Sequence, residues 1–227
     1  MLTEERELNN LKVIFFIFGF SIMSWLPRFP EVKDHLGLSN GEFGSLLSLG
    51  AIGNILALLT VGHLVHKYGA KLIMQTAFLT LAISIIVLSH TSSSFIFVIF
   101  MILFCIGISA FHISINAQGF SFQDRNKKQV ITLLSGYWSS GALLTSVVAG
   151  ILVGLVSIEV HIASVAILSL MVMFRTISTM KPNLVKPNEN PESNLKLSET
   201  FKGFNFDMLV SGGLLCAIML EFAVGDW

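Results

Sequence analysis

The chain has little of what a water-soluble protein needs on its surface. Only 12% of its 227 residues are charged, about half the share typical of soluble domains. Its two cysteines, Cys105 and Cys216, both lie within apolar stretches, a pattern typical of small buried side chains and not of a disulfide framework or a metal site. The formal net charge is zero, which argues against a nucleic-acid partner.

The sequence also lacks the arrangements that catalysis requires. No nucleophile–base pair, no metal-ligand spacing and no phosphate-binding loop is found along it. We therefore expect a protein that is not an enzyme and that binds neither a metal ion nor another cofactor.

Long apolar runs are what the chain does have. A helix needs about 20 apolar residues to cross the hydrocarbon core of a bilayer, and a helix that is apolar on every side has no face for water. The sequence therefore predicts an all-α polytopic membrane protein. The candidate spans, numbered one to seven, are Leu11–Leu26, Phe43–Val65, Leu72–Leu88, Phe95–Ala117, Val130–Val156, Val160–Ile177 and Met208–Trp227.

The lysines and arginines predict the orientation of these spans. If the N-terminus is cytoplasmic, every Lys and Arg except Arg28 and Lys33 falls in a cytoplasmic segment. Because positive charge accumulates on the cytoplasmic side, we expect an integral, multi-pass protein of the cell (inner) membrane with its N-terminus inside.

Composition divides the chain into three parts. The stretch 181–206 is polar, contains three prolines and several lysines, and is predicted to be a cytoplasmic linker. Residues 1–180 then form a six-helix bundle, and residues 207–227 form the first helix of a C-terminal bundle that the chain truncates. We expect either a fragment of a longer protein or a truncated product that needs a partner.

A weak internal repeat relates the two halves of the predicted bundle. Phe16–Ser21 in span one resembles Phe104–Ser109 in span four, and Leu49–Ile52 in span two resembles Ser140–Leu143 in span five. Three spans are an odd number, so the second copy must be inverted relative to the first. Inverted three-helix repeats are typical of secondary transporters, whose solute site lies between repeats.

The segment between spans two and three carries a family resemblance. Its sequence, from Gly62 to Lys71, resembles the signature Gly-x-Leu-x-Asp-Arg-x-Gly-Arg-Lys of the major facilitator superfamily. His66 replaces the Asp of that signature, which removes the carboxylate on which a charge relay in this loop would depend. Gly62 is expected to allow close helix approach and Gly69 to form the turn. The motif residues are Gly62, His66, Lys67, Gly69 and Lys71.

Four further segments narrow this resemblance. Trp25–Pro30, His112–Gln118, Leu134–Gly141 and Glu221–Trp227 look like the corresponding parts of the sugar-permease-like branch near the fucose permeases. The resemblance implies a fold of two inverted three-helix repeats per bundle and transport of a small polar solute, such as a sugar or related metabolite, by alternating access.

The chain departs from that branch where the branch couples transport to protons. The acid of the first helix falls at Met23, which cannot titrate, and the acid of the fourth helix falls at His112, which can carry a proton near neutral pH. The helix-four Arg and the fifth-helix Gly-Pro of proton-driven drug antiporters are absent, which disfavours drug export.

Polar residues within spans are candidates for function, because burying them in lipid is costly. His112 and Asn116 share a helical face; His112 either faces the central cavity or forms a wet cytoplasmic end. Trp25 and Arg28 could instead be an aromatic anchor and a snorkelling cation. The candidate solute-binding residues are Trp25, Arg28, Asn54, His112, Asn116, Trp138 and Glu221, with His112 and Glu221 as candidate proton carriers.

The remaining candidates have alternatives that the sequence leaves open. Asn54 could form a helix–helix hydrogen bond, Trp138 could belong to the interfacial belt, and Glu221 could approach the outer interface. The sequence predicts a secondary carrier whose partners are a small solute, a proton or other coupling ion, the lipid bilayer, and a missing C-terminal bundle in cis or in trans. A drug or metabolite exporter, a seven-helix receptor or an assembly protein are the alternatives.

Overall fold

The computed structural model describes residues 2–180 of the chain. The predictions for the linker (181–206), for the helix at 207–227 and for Glu221 concern residues outside this range. The described residues are helical and contain no strand, which confirms the predicted all-α class. The helices are α1 (Leu2–Met23), α2 (Phe29–Leu36), α3 (Asn40–Ser48), α4 (Gly50–Tyr68), α5 (Ala70–His90), α6 (Ser94–Asn126), α7 (Ile131–Leu152) and α8 (Ile158–Thr179).

Six of the described segments are long and apolar enough to cross a membrane. The first, Glu4–Leu36, joins α1 and α2, the second, Asn40–Tyr68, joins α3 and α4, and α5 to α8 supply the other four. The predicted fourth span, Phe95–Ala117, is too short: α6 continues to Asn126 and has 33 residues. At 1.5 Å per residue such a helix is about 50 Å long and extends beyond a bilayer core of about 30 Å.

Spans one and two are both interrupted near the same end of the bundle. After α1 ends at Met23, a short 3₁₀-helix (Leu26–Arg28) with Pro27 in its first turn leads into α2. Next, Ser39 caps α3 by a capping box with Glu42, which satisfies donors at the helix start. The segment around Arg28, which the sequence analysis placed outside the predicted spans, is therefore helical. Proline in the first turn of a helix supports helix formation.

The helices pair in a way that fits the inverted repeat. In the six-span bundle, α1 packs along α7, which pairs span one with span five, and α4 packs along α6, which pairs span two with span four. If spans one to three are superimposed on spans four to six, the pair of spans one and five falls on the pair of spans four and two. Helices α5 and α8, the third members of each repeat, pack against each other.

Glycines allow the closest of these contacts. A Cβ atom at Gly141 of α7 would overlap the carbonyl oxygen of Phe16 in α1, and one at Gly53 of α4 would overlap that of Ile102 in α6. Gly62, which the sequence predicted to allow close approach, has nothing within 4 Å of its Cβ position. That prediction is wrong because Gly62 lies on the exposed side of α4.

One end of the bundle gathers the basic residues predicted to be cytoplasmic. Arg125 at the end of α6 contacts Glu7 of α1 at 2.5 Å, and Lys128 contacts Glu4 at 2.6 Å. Lys71 at the start of α5 donates to the carbonyl of Ser178 near the end of α8. The arrangement agrees with the predicted grouping of these segments on one side of the membrane.

Candidate functional site

His112 lies on the exposed surface near the middle of α6. It is 18 residues from the start of that helix and 14 from its end, or about 27 Å and 21 Å at the rise of an α-helix. Its ring stacks on Phe18 of α1, with 6.0 Å between centroids, and Phe18 in turn packs on Phe111 at 4.6 Å. The imidazole therefore rests on the aromatic core but keeps an open side.

A second helix borders His112 through a polar contact. Ser109, one turn earlier on α6, donates a 2.8 Å hydrogen bond to the side-chain oxygen of Asn54 on α4. The imidazole on Phe18 and the Ser109–Asn54 pair thus belong to neighbouring turns of α6. We call the surface formed by Asn54, Ser109 and His112, with Phe18 buried beneath the imidazole, the α1–α4 opening.

The other polar candidates lie at different distances from the opening. Asn116 is half-buried and uses its amide nitrogen to bond the carbonyl of His112, one turn away in the same helix, at 2.9 Å. Trp138 is also half-buried, and its backbone lies against Gly19 of α1, in the second turn of α7. The described structure thus places His112 and Asn116 on successive turns of α6 and joins Asn54 of α4 to Ser109 of the same helix, while Trp138 belongs to the α1–α7 contact.

Arg28 lies far from the opening, at the opposite end of the bundle from the basic cluster. Its side chain is completely buried. One guanidinium nitrogen, Nη1, donates to both carboxylate oxygens of Glu31, at 2.7 and 3.0 Å, while Nη2 donates to the carbonyl oxygens of Leu152 and Val156, each at 3.0 Å. The guanidinium thereby joins the start of α2 to the last residues of α7 and the loop after it.

Trp25 is part of the same buried end and not an interfacial anchor. Its side chain is 1% exposed and makes edge-to-face contacts with Phe29, at 4.7 Å, and with Phe104 of α6, at 5.2 Å. The interpretation of Trp25 and Arg28 as an anchor and a snorkelling cation placed both at the membrane surface. Both are buried because the chain turns inward at the 3₁₀-helix that separates α1 from α2.

His161 is a polar residue that the sequence analysis did not single out. It lies in the first turn of α8, is 5% exposed, and has no hydrogen-bond partner for either ring nitrogen among the described residues. A titratable residue next to the five-six loop could have been noted, but its burial depends on how α8 packs in the bundle, which the sequence does not display.

The loop motif lies at the basic end of the bundle. Gly69 is the single residue between α4 and α5 and has φ +84°, a conformation that glycine adopts readily. His66 and Lys67 lie exposed in the last turn of α4, and Lys71 bonds α8 as described above. The motif thus forms the turn that brings spans two and three together.

These features define a polytopic helical membrane protein with a basic end. The sequence profile of the Major Facilitator Superfamily matches residues 12–225. The chain belongs to this superfamily of secondary transporters. It is also similar to an uncharacterised MFS-type transporter of Yersinia pestis, with 25% identity over 137 residues, which is 60% of this chain and 35% of the relative. The matched part of the chain thus spans about a third of that relative's length.

Proposed function

We propose that the protein is a secondary transporter that moves a small polar solute, such as a sugar or a related metabolite, by alternating access. The observation that carries this proposal is the exposed His112 in the middle of α6, beside the Asn54–Ser109 pair. A lipid-facing histidine at that depth would be costly. An opening that holds water and solute provides a polar environment for it.

The donor and acceptor inventory of the opening suits a neutral, hydroxyl-rich solute. Asn54 and Asn116 offer amide groups, Ser109 offers a hydroxyl, and the imidazole can donate through one nitrogen and accept through the other. Phe18 lies buried beneath the imidazole and supports the ring from below. No acidic side chain belongs to this set of described residues.

A second bundle is needed to close the site. Only 28% of the second span and 17% of α7 are buried, compared with 56% of α5. We infer that α4 and α7 flank the surface covered by a C-terminal bundle, in cis or in trans, and that Glu221 of the seventh span belongs to the solute path. The two-bundle arrangement with a midplane site is that of the superfamily.

A proton is the coupling ion that we propose. His112 occupies the position of the helix-four acid in the branch that the sequence resembles, and imidazole titrates near neutral pH. Glu221 is the second proposed carrier. Coupling through this pair would replace the pair of carboxylates used in the fucose-permease-like branch.

The test is uptake of radiolabelled monosaccharides by proteoliposomes that contain the full-length protein. We expect saturable uptake of at least one sugar, counterflow of the same sugar, and a dependence on an inward proton gradient. Absence of uptake and counterflow for sugars and for related polyols and amino sugars would contradict the proposed solute class.

The proposed orientation has a separate test. A reporter fused after Asn126 should be active in the cytoplasm, and one fused after Ser93 should be active outside, because positive charge marks the cytoplasmic side. The opposite pattern would contradict the orientation and favour a seven-helix receptor.

A further inference from the structure

The buried end of the first span contains a cation whose contacts the transport proposal does not use. Arg28 is 0% exposed, and its two terminal nitrogens make four hydrogen bonds, two to Glu31 and two to carbonyl oxygens at the end of α7. A buried charge is tolerated when it is paired and bonded in this way. The contacts join the start of α2 to the end of α7 and the loop after it.

The segments that Arg28 joins are short or end close to it. Helix α2 has only eight residues and is separated from α1 by the 3₁₀-helix with Pro27. Helix α7 ends at Leu152, and a loop with Gly154 at φ +75° follows. The Leu152 carbonyl at the end of α7 also accepts from the N–H groups of Leu155 and Val156, so the guanidinium adds a third donor there and supplies a side-chain donor to the carbonyl of Val156 in the loop.

A second contact lies beside the first. His35 in the last turn of α2 faces Glu159 in the first turn of α8, with 3.8 Å between Nδ1 and Oε1. Val156, whose carbonyl accepts from Arg28, lies two residues before the start of α8. The outer ends of α2, α7 and α8 therefore meet around one guanidinium.

We propose that Arg28 is a positioning residue that fastens the broken outer end of span one to the outer ends of spans five and six, so that the three ends move as one unit. This inference rests on the proposed transport function, because alternating access requires each bundle to move without coming apart. Arg28 acts through α2 and does not contact the solute.

Arginine is needed for this geometry. Its planar guanidinium presents one nitrogen to the carboxylate and the other to the two carbonyls at the same time, whereas the single ammonium of lysine cannot hold both sets of acceptors. Arg28→Lys therefore keeps the charge and loses the connection. Glu31→Gln is the complementary change, because it removes the ion pair and leaves the bonds to α7.

The first experiment measures whether the outer ends stay together. Cysteines replace His35 and Glu159 in full-length protein in which Cys105 and Cys216 are serine, and a short bismaleimide crosslinks the pair in native membranes. We expect fast crosslinking, about fivefold slower in Arg28→Lys and about twofold slower in Glu31→Gln. Arg125→Lys, in an ion pair at the other end of the bundle, is the control and should crosslink at the original rate.

A wild-type crosslinking rate in either folded Arg28 or Glu31 variant would overturn the proposal. Folding is checked by thermal unfolding of each variant in detergent, and the Glu31→Gln protein replaces the Arg28→Lys protein in the comparison if the latter does not fold. These readouts need no transported solute, so they test Arg28 even if the proposed transport function fails.

The second experiment separates positioning from binding. In proteoliposomes supplied with the monosaccharide that gives the highest uptake, Arg28→Lys should lower the maximal rate about fivefold and change KM by less than about twofold. Crosslinking His35→Cys to Glu159→Cys should leave at least about half of the transport rate, because the two ends do not separate. A raised KM with an unchanged maximal rate, or a complete block by the crosslink, would overturn the proposal.

Discussion

Arg28 and His112 both lie in segments that are long and apolar enough to cross a membrane, but their environments are opposite. Arg28 is fully buried and has four hydrogen bonds from its terminal nitrogens. His112 is exposed and rests on one aromatic ring, and its backbone carbonyl accepts a hydrogen bond from the side-chain amide of Asn116. The first arrangement stabilises the fold, while the second leaves a titratable group available to a ligand.

The comparison suggests a rule for the polar residues of this bundle. Those that are buried and bonded to another segment should matter for stability, and those that are exposed with spare hydrogen-bonding capacity should matter for transport. The following predictions test the rule, ordered from the largest expected change in unfolding free energy to the smallest.

Replacing Arg28 by Met should have the largest effect. The change removes one partner of a buried ion pair and the side-chain donor to the carbonyls of Leu152 and Val156, which costs about 3–5 kcal/mol. The measurement is thermal or denaturant unfolding of the purified protein in detergent. Arg125→Met is the matched control: its pair with Glu7 is at the surface, with Arg125 43% exposed, and should cost less than about 1 kcal/mol. Equal losses would contradict the distinction between the two pairs.

Two glycines of α4, one buried against α6 and one exposed, give a second test of the difference between buried and exposed positions. Gly53→Ala places a methyl group on the carbonyl of Ile102 in α6, and such overpacking costs about 1–3 kcal/mol. Gly62→Ala meets nothing within 4 Å and should stabilise the same helix by about 0.5–1 kcal/mol, since alanine is the better helix former. The free energy of unfolding of both variants is measured under one condition. A loss of stability in Gly62→Ala as large as that in Gly53→Ala would contradict the contact between α4 and α6 at Gly53.

These two regions also show how far sequence reasoning reached. The apolar runs predicted all six spans of the described bundle, because bilayer thickness sets the length of a crossing helix. The repeat related span one to span four and span two to span five. Gly50 and Gly141 were part of the repeated segments. Hydropathy is averaged over a segment. It therefore predicts where a helix crosses the membrane, but not which residues bend the chain between two helices.

The sites could be predicted only in part for the same reason. Polarity in an apolar stretch marked His112, Asn54 and Arg28 alike. In the structure, however, His112 is exposed, Asn54 bonds a neighbouring helix and Arg28 is buried. What separates them is tertiary: Arg28 is buried because α2 turns inward after Pro27 and meets the end of α7. His161 was missed because a single histidine near a helix start carries no pattern of its own.

The hydrogen bond between α4 and α6 should contribute modestly. Ser109→Ala removes the 2.8 Å bond to Asn54, and interhelical bonds of this kind contribute about 0.6 kcal/mol in membrane proteins. Ser140→Ala is the control, because the Ser140 hydroxyl bonds the carbonyl of Tyr137 within its own helix. The expected change for Ser140→Ala is close to zero. If Asn54 also contacts the solute, Ser109→Ala should alter KM for the transported monosaccharide in the uptake assay.

Replacing His112 by Gln should have the smallest effect on stability and a large effect on coupling. The side chain is exposed and makes no hydrogen bond through its ring in the described structure, so the unfolding free energy should change by less than about 0.5 kcal/mol. Glutamine keeps a donor and an acceptor but does not titrate in this range. Accumulation driven by a pH gradient should therefore be lost, while exchange of the same sugar across the membrane persists.

Glu221→Gln is the parallel variant, and the pair of results decides where the proton is carried. If His112→Gln accumulates solute normally and Glu221→Gln does not, coupling belongs to the seventh span and the α1–α4 opening serves binding alone. If both variants accumulate solute as the parent does, the transporter is a uniporter or uses another ion, and the proposed proton coupling is wrong. A large loss of stability in His112→Gln would instead contradict the comparison itself, because it would place His112 among the residues that hold the bundle together.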